Sequence, residues 1–260
     1  MRTKKSQKRV RKTQKHKKCI KRDGGNTRLV LRDAQTKITE LNEHLQRKCP
    51  NLRLQLDFVK NLTGEIIRYS SVEGPTTRAR GARLILCLYK TSPVAKSPLK
   101  LVVEGILPSD KGNSKCISSI EMNVFFDKEI IINSKTDSKE EGKKYNKMLR
   151  AVVMIVGGFI PGIKQLHSVA ENPISAWLLI DNFKVEYATI GNGEFFDYLK
   201  KENIDINHLS RDKIFAFYAD KTQHNLISLY VPFNTSNTTS AMKLFMDLVN
   251  PSSDNTIVCS

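Results

Sequence analysis

Leu52-Arg-Leu-Gln-Leu-Asp-Phe58 alternates apolar and polar side chains without a break. In an extended chain successive side chains point to opposite faces, so Leu52, Leu54, Leu56 and Phe58 share one face and Arg53, Gln55 and Asp57 the other. The stretch predicts a strand with one buried and one wetted side, and it sets the fold class for what surrounds it. Similar signals recur at Arg83–Tyr89, Leu99–Glu104, Ser118–Phe126, Lys128–Ile132, Ala176–Ile180, Phe183–Tyr187, Lys213–Tyr218 and Leu226–Val231. The last two flank Asp220-Lys-Thr-Gln-His-Asn225 and read as a hairpin with a six-residue loop. Pro93, Pro98, Pro108 and the Asp110–Asn113 stretch punctuate the series as turns.

Helical periodicity interrupts this series only a few times. Ala34, Ile38, Leu41 and Leu45 form an apolar stripe over residues 33–48, with Asp33 as N-cap and Pro50 as the stop. That helix either docks on the body or extends the N-terminal segment to pair with another copy or with nucleic acid. Ser138-Lys-Glu-Glu141 has capping-box spacing ahead of Tyr145, Met148, Leu149, Val152, Val153 and Val156. Shorter helices follow Gly191-Asn-Gly193, over 194–201, and at 241–249. Eight or so short strands with few helices predict a mainly β chain: an antiparallel sandwich or jelly-roll-like body over residues 51–260. Residues 28–50 then form a linker and short amphipathic helix, and residues 1–27 a disordered basic arm.

The arm is the strongest functional signal. Arg2, Lys4, Lys5, Lys8, Arg9, Arg11, Lys12, Lys15, Lys17, Lys18, Lys21 and Arg22 stand in the first 22 residues, ahead of the first acid, Asp23. They supply twelve of the net +17, which leaves about +5 for the other 238 residues. With few apolar side chains the segment cannot repay the entropy of ordering itself, and it should order only on a polyanion. Nucleic acid is the polyanion it suits. A Lys/Arg-rich run also reads as a nuclear localisation signal, which would make an import receptor a partner. Arg78, Arg80 and Arg83 form a second basic cluster, expected as a loop ahead of a strand. Arg's planar fork suits phosphate, and a solvated loop guarding a sheet edge is the alternative. Phe215, Phe217, Tyr218 and Tyr230 could stack on bases or pack in the core.

Little else carries chemistry. The five histidines are scattered, and no phosphate-binding glycine loop or nucleophile elbow occurs. No catalytic residue, metal ligand or cofactor is expected. Five cysteines without a C-x-x-C pair argue against a disulfide framework and for a reducing, intracellular setting. The longest apolar run, Ala151–Ile163, is broken by three glycines and a proline, so no membrane span is expected. The N-terminus lacks the apolar stretch of a secretory signal.

A basic arm, a short glycine break, an amphipathic helix and a β-rich body together resemble the coat proteins of small single-stranded plant viruses. The resemblance is one of layout. It implies an arm that packages single-stranded RNA or DNA inside a virion, a jelly-roll body, and homo-oligomeric assembly through that body.

Overall fold

The computed structural model describes residues 31–65, 78–91, 114–126, 128–136, 139, 141–219, 225–250 and 256–259. The basic segment 1–22, the Gly24-Gly25-Asn26 break and the expected strand at 99–104 lie outside the described residues. The first element is helix α1 (residues 31–48). Strands β1 (Leu52–Glu65), β2 (Arg78–Thr91), β3 (Ser114–Phe125) and β4 (Glu129–Thr136) follow as an antiparallel meander. Helix α2 (Tyr145–Gly157) then carries the chain to β5 (Gln165–Ala170), which pairs parallel to β4. The remainder is α3 (Pro173–Asn182), β6 (Glu186–Tyr187), α4 (Gly193–Lys201), α5 (Arg211–Ala219), β7 (Ile227–Pro232) and α6 (Thr235–Val249).

These elements form one seven-stranded mixed sheet, in the order β1-β2-β3-β4-β5-β7-β6, with six helices among the described residues. The mainly β expectation, and the sandwich or jelly-roll drawn from it, therefore gives way to a single sheet backed by helices. Two of the expected strands are helices. Ala176–Ile180 lies in α3, and its cues were the N-cap Asn172, which accepts a hydrogen bond from Ser175 N–H, and Pro173 in the first turn. Lys213–Tyr218 lies in α5, where Ile214 and Phe217 are buried one turn apart. A short apolar run of five or six residues fits either period, and here tertiary packing selects the helix. Consequently the expected hairpin at 213–231 does not form, and β7 pairs instead with β5 and β6. Strand β5 carries only a short apolar signal around His167, too short to mark a strand in the sequence.

The alternation that opens β1 runs on across the sheet. Leu52, Leu54 and Leu56 share the core with Leu84, Leu86 and Leu88 of β2, Ile120, Met122 and Val124 of β3, and Leu166, Leu229 and Val231 further along. On the other face Arg53, Gln55, Asp57, Ile85, Glu121 and Asn123 are half-buried or exposed, while Cys87 and Tyr89, opposite Gln55 and Arg53, are buried, so that face is only partly open to water. Helix α2 is apolar nearly all round, and its residues 148–157 are all buried, which makes it the central helix of the layer. The α1 stripe of Ala34, Ile38, Leu41 and Leu45 is buried in the same core, so α1 docks on the body.

Asparagine side chains stitch helices and turns to strand backbones. The Asn42 amide donates to the Leu54 carbonyl and accepts from the Leu54 N–H, both at 2.7 Å, and so covers part of edge strand β1. Asn192 accepts from Ser228 N–H at 2.7 Å and donates to the carbonyls of Ala188 and Ser228 at 2.8 Å. Asn237 accepts from Lys184 N–H and donates to the Lys184 and Pro232 carbonyls.

Four of the five cysteines are paired, as Cys49–Cys259 and Cys87–Cys116. This overturns the expectation of a chain without disulfides, and with it the cysteine argument for a reducing compartment. Sequence spacing could not show the pairing. The segment 256–259 returns to the end of α1 across 210 residues, and β2 and β3, with Cys87 opposite Ser119 and Tyr89 opposite Cys116 across a register irregularity, bring the Cα atoms of Cys87 and Cys116 to 5.9 Å.

Candidate nucleic-acid interface

Of the basic residues singled out from the sequence, the twelve from Arg2 to Arg22 lie outside the described residues. Arg78, Arg80 and Arg83 are not in a loop. They lie in β2, in register with Glu65, Thr63 and Lys60 of β1. The reason is that β1 continues beyond Phe58 through an irregularity in its register and takes the 78–83 stretch as its partner. Because β3 joins β2 only from Gly81 onward, residues 78–80 pair with β1 alone and form a two-stranded ribbon.

Arg83 is partly satisfied already. Its Nε donates to Asn123 Oδ1 at 3.2 Å and stands 3.0 Å from Glu121 Oε1, on the half-exposed side of the sheet. An ion pair this exposed contributes little to stability. The same side carries Arg53, Asp57, Glu121 and Glu129, so it presents charges of both signs rather than a basic field. Among the aromatic candidates, Phe217 is buried against Phe195 and Tyr198. The Tyr218 hydroxyl donates to the Ala170 carbonyl at 2.7 Å. Tyr230 packs on the His167 ring at 4.7 Å between centroids.

Two polar clusters in the body were not visible in the sequence. In the first, His167 on β5 shares a hydrogen bond of 2.8 Å between Nε2 and the Ser228 Oγ on β7. Its Nδ1 has no hydrogen-bond partner and lies 3.9 Å from Glu129 Oε1, while Gln165 Nε2 donates to the other Glu129 oxygen at 3.0 Å. Burial holds the imidazole below its usual pKa, and the Glu129 charge offsets part of that shift. The order Ser–His–Glu is that of a hydrolytic triad, yet the geometry argues for a structural pair. At 3.9 Å the His–Glu contact is too long for a hydrogen bond, Ser228 is buried within a strand, and its backbone N–H is taken by Asn192.

The second cluster surrounds Arg150 of α2, which is 3 % exposed. Its Nε donates to Asn146 Oδ1 at 2.9 Å, and its Nη2 donates to Ser134 Oγ at 3.2 Å and Ser175 Oγ at 3.3 Å. Its Nη1 has no partner. Burial pushes its pKa down to about 10, and among the described residues no carboxylate opposes that shift. A lone Arg in an apolar helix gives no sequence signal, because two of its three partners come from β4 and from the first turn of α3.

Among the described residues no group of three or more His, Cys, Asp and Glu could hold a metal ion, and no helix is long and apolar enough to cross a membrane. In comparison with known proteins, no family model matches the chain, and no curated protein and no solved structure matches it.

Proposed function

We propose that this chain is a nucleic-acid-binding structural protein that engages a single-stranded polyanion through residues 1–22. The observation that carries the reading is the run of twelve Lys and Arg without an acid. Each base that neutralises a phosphate releases condensed counterions, a gain that does not depend on base sequence. With about eight contacts to a single strand, the log–log salt slope is about −6, and affinity falls roughly 10³-fold between 50 and 200 mM salt. Flexible lysines position the chain on phosphates and read no bases. The role is binding rather than catalysis.

Layout supports packaging of a genome within a shell of this chain. One sheet backed by helices, in place of two packed sheets, supports the alternative of a nucleic-acid-associated protein that forms no shell. The test compares the full-length protein with a full-length variant in which the twelve bases are glutamine, using a dT oligonucleotide and an RNA over a salt series. The reading expects weak, nearly salt-independent binding by the variant, and equal affinities and slopes for the two proteins would refute it. Regular particles seen by electron microscopy only with RNA would select the shell.

A further inference from the structure

Arg150 is a buried cation whose described surroundings contain hydrogen-bond donors and neutral acceptors but no ion-pair partner. A guanidinium has five N–H donors. Three are used, one on Nε and two on Nη2, and all go to neutral side-chain oxygens. The two on Nη1 meet nothing. Ser134 and Ser175 accept from Nη2 through their oxygens, so each keeps a hydroxyl proton to donate elsewhere. The first turn of α3 adds the positive end of a ten-residue helix, although its N-cap Asn172 already takes the Ser175 N–H. A buried charge is normally paired or ligated, because removing it from water without compensation is costly. Here the guanidinium keeps two donors, both on Nη1, that no described group accepts. On the α3 side Ser134, Asn146 and Ser175 are only half-buried, and neighbouring Ile174 is 67 % exposed.

We infer that Arg150, Ser134 and Ser175, between α2, β4 and the start of α3, form a binding site for one phosphate group. The two N–H groups of Nη1 and two hydroxyls match an anion with several oxygens at tetrahedral spacing, and Arg suits phosphate as a donor. The phosphate comes either from the free anion or from a nucleotide. This site lies in the body and does not depend on residues 1–22.

Thermal unfolding of the full-length protein tests it, with Arg150→Met beside the unsubstituted chain. Both are measured in chloride at constant ionic strength, then with inorganic phosphate, thymidine 5′-monophosphate and thymidine. Ligand at ten times its Kd raises the folding constant of the unsubstituted chain about elevenfold. R150M shows no such rise, and in chloride it is at least as stable, since it no longer buries an unpaired charge. General effects of phosphate as a salt, and any binding to the N-terminal segment, are common to both chains and cancel. Should R150M not fold, the Ser134→Ala/Ser175→Ala double variant serves, with an expected loss of at least tenfold in phosphate affinity. A response to both phosphate probes identifies the free anion as sufficient, and a response to the monophosphate alone identifies a nucleotide. Equal responses of the two chains, or none from the unsubstituted chain, overturn the inference. Neither result bears on the salt slope for oligonucleotides, which tests residues 1–22 separately.

Discussion

Replacing Asn192 by alanine removes three hydrogen bonds that fasten the turn after β6 to β7. Ser228 points its backbone N–H and carbonyl away from β5, toward Asn192 and Ala188. In the variant the Ser228 N–H loses its acceptor in a region where water cannot replace it, for Asn192 is fully buried and Ser228 is 5 % exposed. An orphaned buried donor costs about 1–3 kcal/mol, and the under-satisfied Ala188 carbonyl and the lost side-chain volume add to it. We expect a total of about 2–4 kcal/mol. For a body of this size that lowers Tm by roughly 5–15 °C. Urea unfolding is the better assay, because a shift in midpoint at constant m isolates stability from changes in the denatured state. Asn192→Asp keeps the acceptor but sets a carboxylate against two carbonyls, so its carboxyl pKa is raised in the folded state. That variant should regain stability as pH falls through the raised folded-state value toward the unfolded one, near 4. An N192A midpoint within about 0.5 kcal/mol of the parent would refute the reasoning, because that is the range of a surface substitution without a structural role.

Stability should also fall on mild acidification through His167. Its folded-state pKa is lowered by burial, so between that value and the unfolded value of about 6.5 the unfolded chain binds the extra proton. The contribution is complete above about pH 6.5, is lost as pH drops through the interval, and is gone below the folded pKa. His167→Gln, which can still hydrogen-bond Ser228, should flatten the unfolding free energy between pH 7 and 5; an unchanged pH profile would dismiss the imidazole as its source. Leu45→Ala deletes a fully buried side chain on the α1 stripe and should cost about 2–5 kcal/mol in urea unfolding. A cost within about 0.5 kcal/mol would mean that α1 does not dock on the body in solution.

Elements with a single clear period were legible. The alternation at 52–58 became the start of β1, the stripe at 34–45 became α1, and Gly191-Asn-Gly193 opened α4. Short runs with no period, such as Ala176–Ile180, could be read as strand or helix, and the cap at Asn172-Pro173 was the cue that distinguished them. The Arg78–Arg83 stretch looked like a loop because nothing local announces that β1 runs on and needs a partner there.

Charge and periodicity are local properties, so the chain's order alone determined the concentration of positive charge in residues 1–22, the half-buried character of the first strands and the apolar face of α1. Pairing is not local. Which strand follows which across the mixed sheet, which cysteines meet, and where Asn42, Asn192 and Asn237 clamp a backbone were decided only when distant segments came together. The same holds for Arg150. A buried guanidinium is a polar group whose partners lie 4, 16 and 25 residues away, and only the packed layer of α2, β4 and α3 shows that all three are neutral side-chain oxygens.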